Sequence, residues 1–386
     1  MTERTSFPIK SIIPIYVASF LGDKTTAILS ITIPIYAYQL GASPLILGLI
    51  GDAAGLTYTM TAIIAGRFSD RVDKRILLLV SVLLQSTVSF AYSLSSSYLS
   101  IVPLSGLQGV ASGIFWPNME SLLVDKIQPI HLDKAITGFT TSWSIGWIIG
   151  PFLGGAIIEL FSPKAAFYTA AILPLIAGSL VILSGSKGVQ RKREKEPPKT
   201  RTKGNASLKG LTTTYISVFL FAICIRTVNS LFPALTSLLK ISALETGSIL
   251  LFISLARTLL FVQSPILVRR LERKLLMILG STLISLSAII IAIGFASWHF
   301  MFGMIFLGLG YGMNYFSALS TILGGEEPSL GLRVGLFEGI IGFGGVVGPM
   351  LGGILSEIDM RLPYIVLALV TFSFVIYQSI QSWRQK

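Results

Sequence analysis

The chain has 386 residues, of which 52% are hydrophobic and only 12% charged, with a formal net charge of +12. Soluble domains carry roughly 25% charged residues, so the composition excludes an ordinary soluble protein and indicates an integral membrane protein. A single cysteine, Cys224, excludes disulfides within the chain, and His131 and His299 lie too far apart to suggest a histidine-based metal or nucleophile site.

Backbone groups in lipid must be bonded within the segment, and the apolar runs are continuous rather than alternating, so the spans are expected to be helices of about 20 residues or more. Apolar runs read against breakers place the first six at Ser11 to Tyr38, Pro44 to Gly66, Ile76 to Leu94, Leu99 to Val124, Ala135 to Ile158 and Ala165 to Gly185. No cleaved signal peptide is expected, because the first run is too long for one. Between Ser186 and Gly210 stand nine Lys or Arg residues against Glu194 and Glu196, a local net charge of +7. This stretch reads as a solvated linker that fixes topology and suits anionic lipid headgroups; without interleaved aromatics it does not read as a nucleic-acid site. Six more spans follow at Leu211 to Leu239, Leu244 to Val268, Leu275 to Ser297, Phe300 to Leu323, Leu332 to Ser356 and Leu362 to Trp383. The expected organisation is an all-α membrane protein with two six-helix bundles, residues 1–185 and 211–386, joined by a linker at 186–210.

Basic residues accumulate on the cytoplasmic side of short loops. With the N-terminus inside, 24 of the 30 Lys and Arg fall inside, counting Arg333 at the cytoplasmic end of its span, Lys164, Lys240 and Arg361 fall outside, and three lie deep within spans. Both termini and the linker are therefore expected to be cytoplasmic, in a multi-pass protein of the cell membrane.

Gly150-Pro151-Phe152-Leu153-Gly154-Gly155 returns 198 residues later as Gly348-Pro349-Met350-Leu351-Gly352-Gly353, with Gly146 on Gly344 and Glu159 on Glu357. At an offset of 199, Pro34 falls on Pro233, Gly48 on Gly247, Gly109 on Gly308 and Gly113 on Gly312. The chain is a duplication, and six spans per copy return it to the same side, so the repeats are parallel, a recurring transporter plan.

Gly66-Arg67-Phe68-Ser69-Asp70-Arg71-Val72-Asp73-Lys74-Arg75, between the second and third spans, resembles the GxLaDrxGrr signature of the major facilitator superfamily. Phe68 stands for its leucine and Asp73 for its second glycine. The eleventh span, with Gly335, Gly344, Gly348, Pro349, Gly352 and Gly353, is similar in full to that superfamily's antiporter motif, G(x)8G(x)3GP(x)2GG. The fifth span departs from it only at Thr137. The resemblance implies that spans one, four, seven and ten line a cavity, that two, five, eight and eleven join the halves, and that the remaining four are supports. It also implies a cytoplasmic gate formed by Gly66, Asp70, Arg71 and Arg75, in which Asp70 meets the start of span eleven and Arg71 pairs with Glu120 or Asp125. Glu338 either joins this gate or is a second proton site. The basic residues of the loop have a plainer reading as topology signals alone.

Seven ionisable residues lie within spans and more than two residues from an end: Asp23, Lys24, Asp52, Glu120, Arg226, Arg257 and Glu338. A charge at the bilayer centre costs roughly 2.5 to 3.5 kcal/mol on insertion scales, so such residues face a cavity or a partner. Asp23 and Arg226 lie about 18 and 22 Å from their cytoplasmic ends. Asp23 is expected to face the cavity as the proton-titrating carboxylate, with Arg226, Lys24 and Arg257 stabilising its ionised form; moving it between a dry setting and one beside a cation would carry a proton. The alternative is a static buried ion pair. Trp116, Asn118, Asn229, Asn314 and Tyr315 complete a candidate cavity lining of aromatic faces and amides, each of which also reads as packing. The motif glycines, with Pro151 and Pro349, read first as close helix packing.

No GxxxxGK[ST], HExxH or CxxC occurs, so neither ATP-driven transport nor an enzyme is expected, and no cofactor beyond a proton gradient. The expected function is a secondary transporter moving a small organic solute by alternating access, as proton-coupled efflux. The alternatives are a symporter for a sugar, organic acid or other metabolite, and a non-transporting membrane receptor. Lipids and a small-molecule substrate are the expected partners, with no nucleic acid, and the two-half fold is expected to act as a monomer.

Overall fold

The computed structural model describes residues 9–68, 72–127, 132–183, 208–323 and 330–383. Among these residues there are twelve α-helices and no strand: α1 (Ile9–Gln39), α2 (Pro44–Phe68), α3 (Lys74–Leu94), α4 (Tyr98–Asp125), α5 (Leu132–Leu160), α6 (Pro163–Leu183), α7 (Leu208–Leu238), α8 (Ala243–Arg270), α9 (Arg273–Ile293), α10 (Ser297–Leu323), α11 (Leu330–Ser356) and α12 (Leu362–Trp383). Eleven are long and apolar enough to cross a membrane. The other, α10, has 27 residues but is diluted by four glycines, Tyr311, Asn314 and Tyr315.

Short-range chemistry sets the helix ends. Pro44 and Pro163 open α2 and α6, where a missing N–H costs nothing. Ser242 caps α8 by accepting from the Glu245 N–H at 3.2 Å. Asp73 stands where the loop signature has a glycine, and it needs no glycine conformation: its φ is −59° and its carboxylate caps α3 by accepting from the Arg75 N–H at 2.9 Å. The turn is thus built on a side-chain cap. Asp70 and Arg71 lie outside the described residues.

The duplication extends to contacts that no motif marks. The turn after α1 passes through Gly41 at φ +85°, with Ala42 N–H donating to Ala37 O at 2.9 Å. The turn after α7 passes through Lys240 at φ +58°, with Ile241 N–H donating to Thr236 O at 2.9 Å, and Lys240 is 199 residues from Gly41. Both are left-handed caps of the same hydrogen-bonded form. Ser86 of α3 donates to Ala171 O of α6 at 2.7 Å, and Ser285 of α9 donates to Ala368 O of α12 at 3.2 Å. Gly109 of α4 lies against the Ala54 carbonyl of α2, as Gly308 of α10 lies against the Ile253 carbonyl of α8.

Contacts group the chain into two compact units, Met1–Ile33 with Ala53–Glu196, and Pro34–Asp52 with Pro197–Lys386. Residues 34–52, which the sequence assigns to the first six spans, pack with the second unit. The core of the first unit joins Ile12 and Ile15 of α1, Leu78 and Val82 of α3, Phe115 and Met119 of α4 and Val181 of α6, all nearly inaccessible. Gly22 makes room for this core, since a Cβ there would stand 2.8 Å from the Phe115 ring. In the second unit Phe221, Phe232, Phe300, Phe337 and Tyr364 are fully buried. Ile172 and Ile176 on α6, and Leu369, Phe372 and Ile376 on α12, are exposed apolar side chains. Helices in lipid associate by close fit rather than by burying apolar surface, so these side chains form the lipid face and the glycines form the seams.

Candidate functional site

The glycine motif of each repeat lies on the first helix of its own repeat. In the first unit Gly146 meets the Phe20 carbonyl of α1, Gly150 meets the Ala27 side chain and Gly154 meets Ile31. In the second unit Gly344 meets Ala222 of α7, Gly348 meets the Ile223 carbonyl and Gly352 meets Leu231 and Thr227. Spaced four residues apart, these glycines form one stripe along each helix. Gly353 and Pro349 occupy another side of α11, where a Cβ on Gly353 would lie 2.9 Å from Pro44 O of α2 and one on Gly48 would strike Pro349 O. Pro151 and Gly155 are buried on α5, and Gly335 falls in α11. The motif is therefore first a contact within each repeat, between its first and fifth helices, with a second contact of α11 on α2.

Asp23 sits on the first of these stripes. It is 6% exposed, and its Cβ lies 3.2 Å from where a Cβ on Gly146 would be. Lys24 is half-buried, with Nζ 5.5 Å from the centroid of the Phe20 ring. The carboxylate is packed towards α5 and the ammonium is the more open of the two. Neighbouring helix residues point about 100° apart, and the α5 glycines take the Asp23 side. Nearby on α4, Trp116 stands edge-on to Phe115 and Phe139, at 5.1 and 6.2 Å between centroids. Asn118 is fully buried and donates to its own helix at Ile114 O, 2.6 Å away, leaving Oδ1 without a partner.

The second unit carries the arginines. Arg226 of α7 is exposed, and its side chain runs along Gly345 of α11, with Nε 3.4 Å from a Cβ placed there. Arg257 of α8 lies over the face of Tyr311, 5.4 Å from the ring centroid. Tyr311 stacks on Tyr315 at 5.8 Å, and Phe221, Phe261 and Phe337 close around this pair at 4.9 to 6.3 Å. Asn314, on the same helix, accepts from the Ser217 hydroxyl at 2.7 Å, and its Nδ2 has no partner. Asn229 is half-buried on α7. Asp52 of α2 is 5% exposed against the Met350 backbone, and its Oδ1 has no hydrogen-bond partner.

At the far end of the first unit Asp125 pairs with Lys74 at 2.5 Å. The loop residue found with the acid of α4 is thus Lys74, which the sequence reads either as part of the loop signature or as a topology signal alone; Arg71 is outside the described residues. Lys126 donates to Ser11 O at 3.2 Å, and burial, with the nearby Arg75 second, lowers its pKa from 10.5. Glu120 is exposed on α4, Gly66 falls in the last turn of α2, and the side chain of Glu338 is not described. Glu357, just past α11, accepts from the Leu45 N–H at 2.9 Å, and the Ser43 hydroxyl, then that N–H, hold its pKa below the usual carboxylate value. The sequence marked Glu357 only as a repeated position. Among the described residues no group of three His, Cys, Asp or Glu side chains is placed to hold a metal.

Comparisons with known proteins agree with this layout. A family profile described as Major Facilitator Superfamily matches residues 15–325 and 214–380. The chain is 25% identical over 381 residues to the Quinolone resistance protein NorA of Staphylococcus aureus (strain MSSA476), covering 92% of each chain. It is 23% identical over 346 residues to Multidrug resistance protein 1 of Bacillus subtilis (strain 168), covering 86% of each. Among solved structures, the nucleoside transporter NupG superposes with a TM-score of 0.78 at 14% identity, over 97% of this chain and 99% of that one. A bacterial homolog to the human lysosomal transporter Spinster superposes with a TM-score of 0.77 at 13% identity, over 97% of both. At such identities these structures speak for the fold alone.

Proposed function

The chain belongs to the Major Facilitator Superfamily and is a multi-pass membrane transporter rather than an enzyme, and from that premise we propose that it exports a small organic solute in exchange for protons. The substrate site is exposed alternately to the two sides of the membrane, with both termini cytoplasmic.

The observation that carries this reading is Asp23, a nearly inaccessible carboxylate in the middle of α1, packed on the first matched glycine of the antiporter-like stripe. A carboxylate held in such a place is retained for a purpose, because it is costly to insert. On this reading Asp23 takes up a proton from one side of the membrane and gives it up to the other as the site is exposed to each in turn. Export rather than uptake is supported by the relatives named for quinolone and multidrug resistance, which align over most of this chain. The aromatic wall around Tyr311 and Tyr315 suits an organic solute with a flat apolar face.

The test is dye transport by the full chain in proteoliposomes under an imposed pH gradient. Accumulation that follows the gradient, collapses with a protonophore and is lost in Asp23→Asn is the expected result. Gradient-driven uptake in the direction of proton flow, or transport unchanged in Asp23→Asn, overturns proton-coupled export.

A further inference from the structure

The boundary between the two compact units falls inside α2, after Asp52, although the helix runs unbroken from Pro44 to Phe68. The part counted with the second unit is fitted to α11 and α7. A Cβ on Gly48 would strike the Pro349 carbonyl, and one on Gly51 would stand 2.5 Å from the Ser230 hydroxyl. Such contacts hold by fit and carry no charge. At the start of the helix the contact changes character. Glu357, in the turn after α11, accepts from the Leu45 N–H at 2.9 Å and from the Ser43 hydroxyl.

The second repeat shows what this bond replaces. Its matching helix, α8, is capped by its own Ser242, 3.2 Å from the Glu245 N–H, and carries Glu245 as an acid in its first turn. Ser43 stands 199 residues before Ser242, but Ile46 takes the place of Glu245, and the first turn of α2 has no acid. A helix start presents unpaired N–H groups and the positive end of the helix dipole, which a carboxylate offsets. In α8 that carboxylate is part of the helix, whereas in α2 it comes from the end of α11. The start of α2 is therefore complete only while it lies beside α11. The charged groups near this contact are engaged elsewhere: Asp359 accepts from the Arg361 N–H at 2.7 Å, Arg361 donates to Ala292 O at 2.9 Å, Asp52 lies against the Met350 backbone and Arg226 runs along Gly345.

We propose that Glu357 is a positioning residue for transport, whose carboxylate holds the start of α2 on the end of α11 in one half of the cycle, and that the outer end opens when this hold is released. The inference rests on the alternating exposure proposed above and adds the residue that governs its outer side. One exposed charge-assisted contact biases a two-state equilibrium without locking it. The bonded form is the carboxylate, and both bonds lower its pKa. The hold is thus complete at neutral pH and is lost as the pH falls through the lowered value.

The test is the distance between spin labels on Leu49→Cys of α2 and Ile293→Cys of α9, both exposed positions, in the full chain in nanodiscs with Cys224→Ala. A short distance at neutral pH, with a minor longer one, is expected in the parent. Glu357→Gln should raise the ratio of long to short about threefold, as for one exposed carboxylate at a helix start, and Glu357→Asp should lie between the two. Taking the parent below about pH 4 should bring it to the ratio of Glu357→Gln. Asp23 and Asp52 titrate in both chains, so the difference between parent and variant isolates Glu357. The proposal is overturned if Glu357→Gln leaves the distances unchanged, or if the difference between the two chains survives in acid. Gradient-driven dye transport with unmoved distances removes this hold and leaves proton-coupled export standing. A shifted ratio in a protein whose dye transport ignores the pH gradient does the reverse.

Discussion

The two repeats share a frame and differ in what they place on it. In both, the fifth helix of the repeat lies on the first through a glycine stripe, Gly146, Gly150 and Gly154 on α1 and Gly344, Gly348 and Gly352 on α7. Equivalent turns close with equivalent hydrogen bonds after α1 and α7. Yet the first repeat puts a buried acid beside a half-open lysine, Asp23 and Lys24, whereas the second puts an exposed arginine on α7 and a second arginine over an aromatic wall. Position 222, which corresponds to Asp23 at the 199-residue offset, is an alanine packed against Gly344. Backbone packing is what duplication kept, because a side chain on any stripe glycine meets another helix at once. Charge was free to diverge, and under the proposed function the acid that carries the proton stands in one repeat while the exposed arginine stands in the other.

Asp23→Asn is the sharpest way to break this division of labour. It removes the titratable group without altering the fit against Gly146. Gradient-driven transport is expected to fall at least tenfold in proteoliposomes, while the melting temperature stays close to that of the parent. Transport that persists in the variant would leave the buried acid a packing role alone and dissolve the distinction.

The shared frame is tested by alanines at paired glycines. At Gly150 a Cβ would collide with Ala27, and at Gly348 it would stand 2.7 Å from the Ile223 carbonyl. Overpacking a close-fitted contact costs roughly 1 to 3 kcal/mol. Gly150→Ala and Gly348→Ala should therefore lower the detergent melting temperature by similar amounts. Gly339→Ala serves as the control, with nothing within 4 Å, and should leave it unchanged. A large effect at only one of the pair would mean that the repeats have diverged in packing as well as in charge.

The frame was legible in the sequence because the membrane makes it so. A spanning helix cannot be shorter than the lipid is thick, and a glycine that admits another helix cannot be hidden by substitution. The sites were less legible because a helix has a rotation that spacing alone does not fix. Asp23 and Lys24 could be read as a pair at the right depth, but only the contact with Gly146 shows which of them is buried. Glu357 could be read only as a repeated position, since an acid just past a span is ordinary at a membrane surface, and its hold on Leu45 depends on the approach of α2 to α11. Lys74 was hidden among basic residues that topology already explained. Asp73 was noticed as a departure from the loop signature, and its capping role follows from the turn chemistry of aspartate once the helix start is known.

A smaller asymmetry lies at the paired turns. Gly41 adopts φ +85° at no steric cost, whereas Lys240 adopts φ +58°, a region that L side chains avoid at a cost of roughly 1 kcal/mol. Lys240→Gly should raise stability by up to about 1 kcal/mol and Gly41→Ala should lower it by a similar amount, both read as shifts in melting temperature. If Lys240→Gly is destabilising, the lysine side chain makes a contribution at this turn that outweighs its backbone strain.

The smallest expected effect is at Glu357, where an exposed carboxylate is held by the Ser43 hydroxyl and the Leu45 N–H at the start of α2. These bonds favour the ionised form, and a carboxylate at a helix N-terminus is further favoured by the helix dipole, so the pKa in the folded chain lies below the ordinary value of 4.5. The contribution to stability is then complete above that ordinary value and is lost as the pH falls through the lowered one. Glu357→Gln, which retains an acceptor but no charge, should melt slightly below the parent at neutral pH, and the gap should close as the pH is taken below about 4. Because the group is solvent-exposed the gap should also shrink in high salt. A gap that persists unchanged in acid would show that Glu357 acts through the shape of its side chain rather than its charge, and the anchoring of α2 beside α11 would then be a matter of packing there, as it is at Gly48 and Gly353.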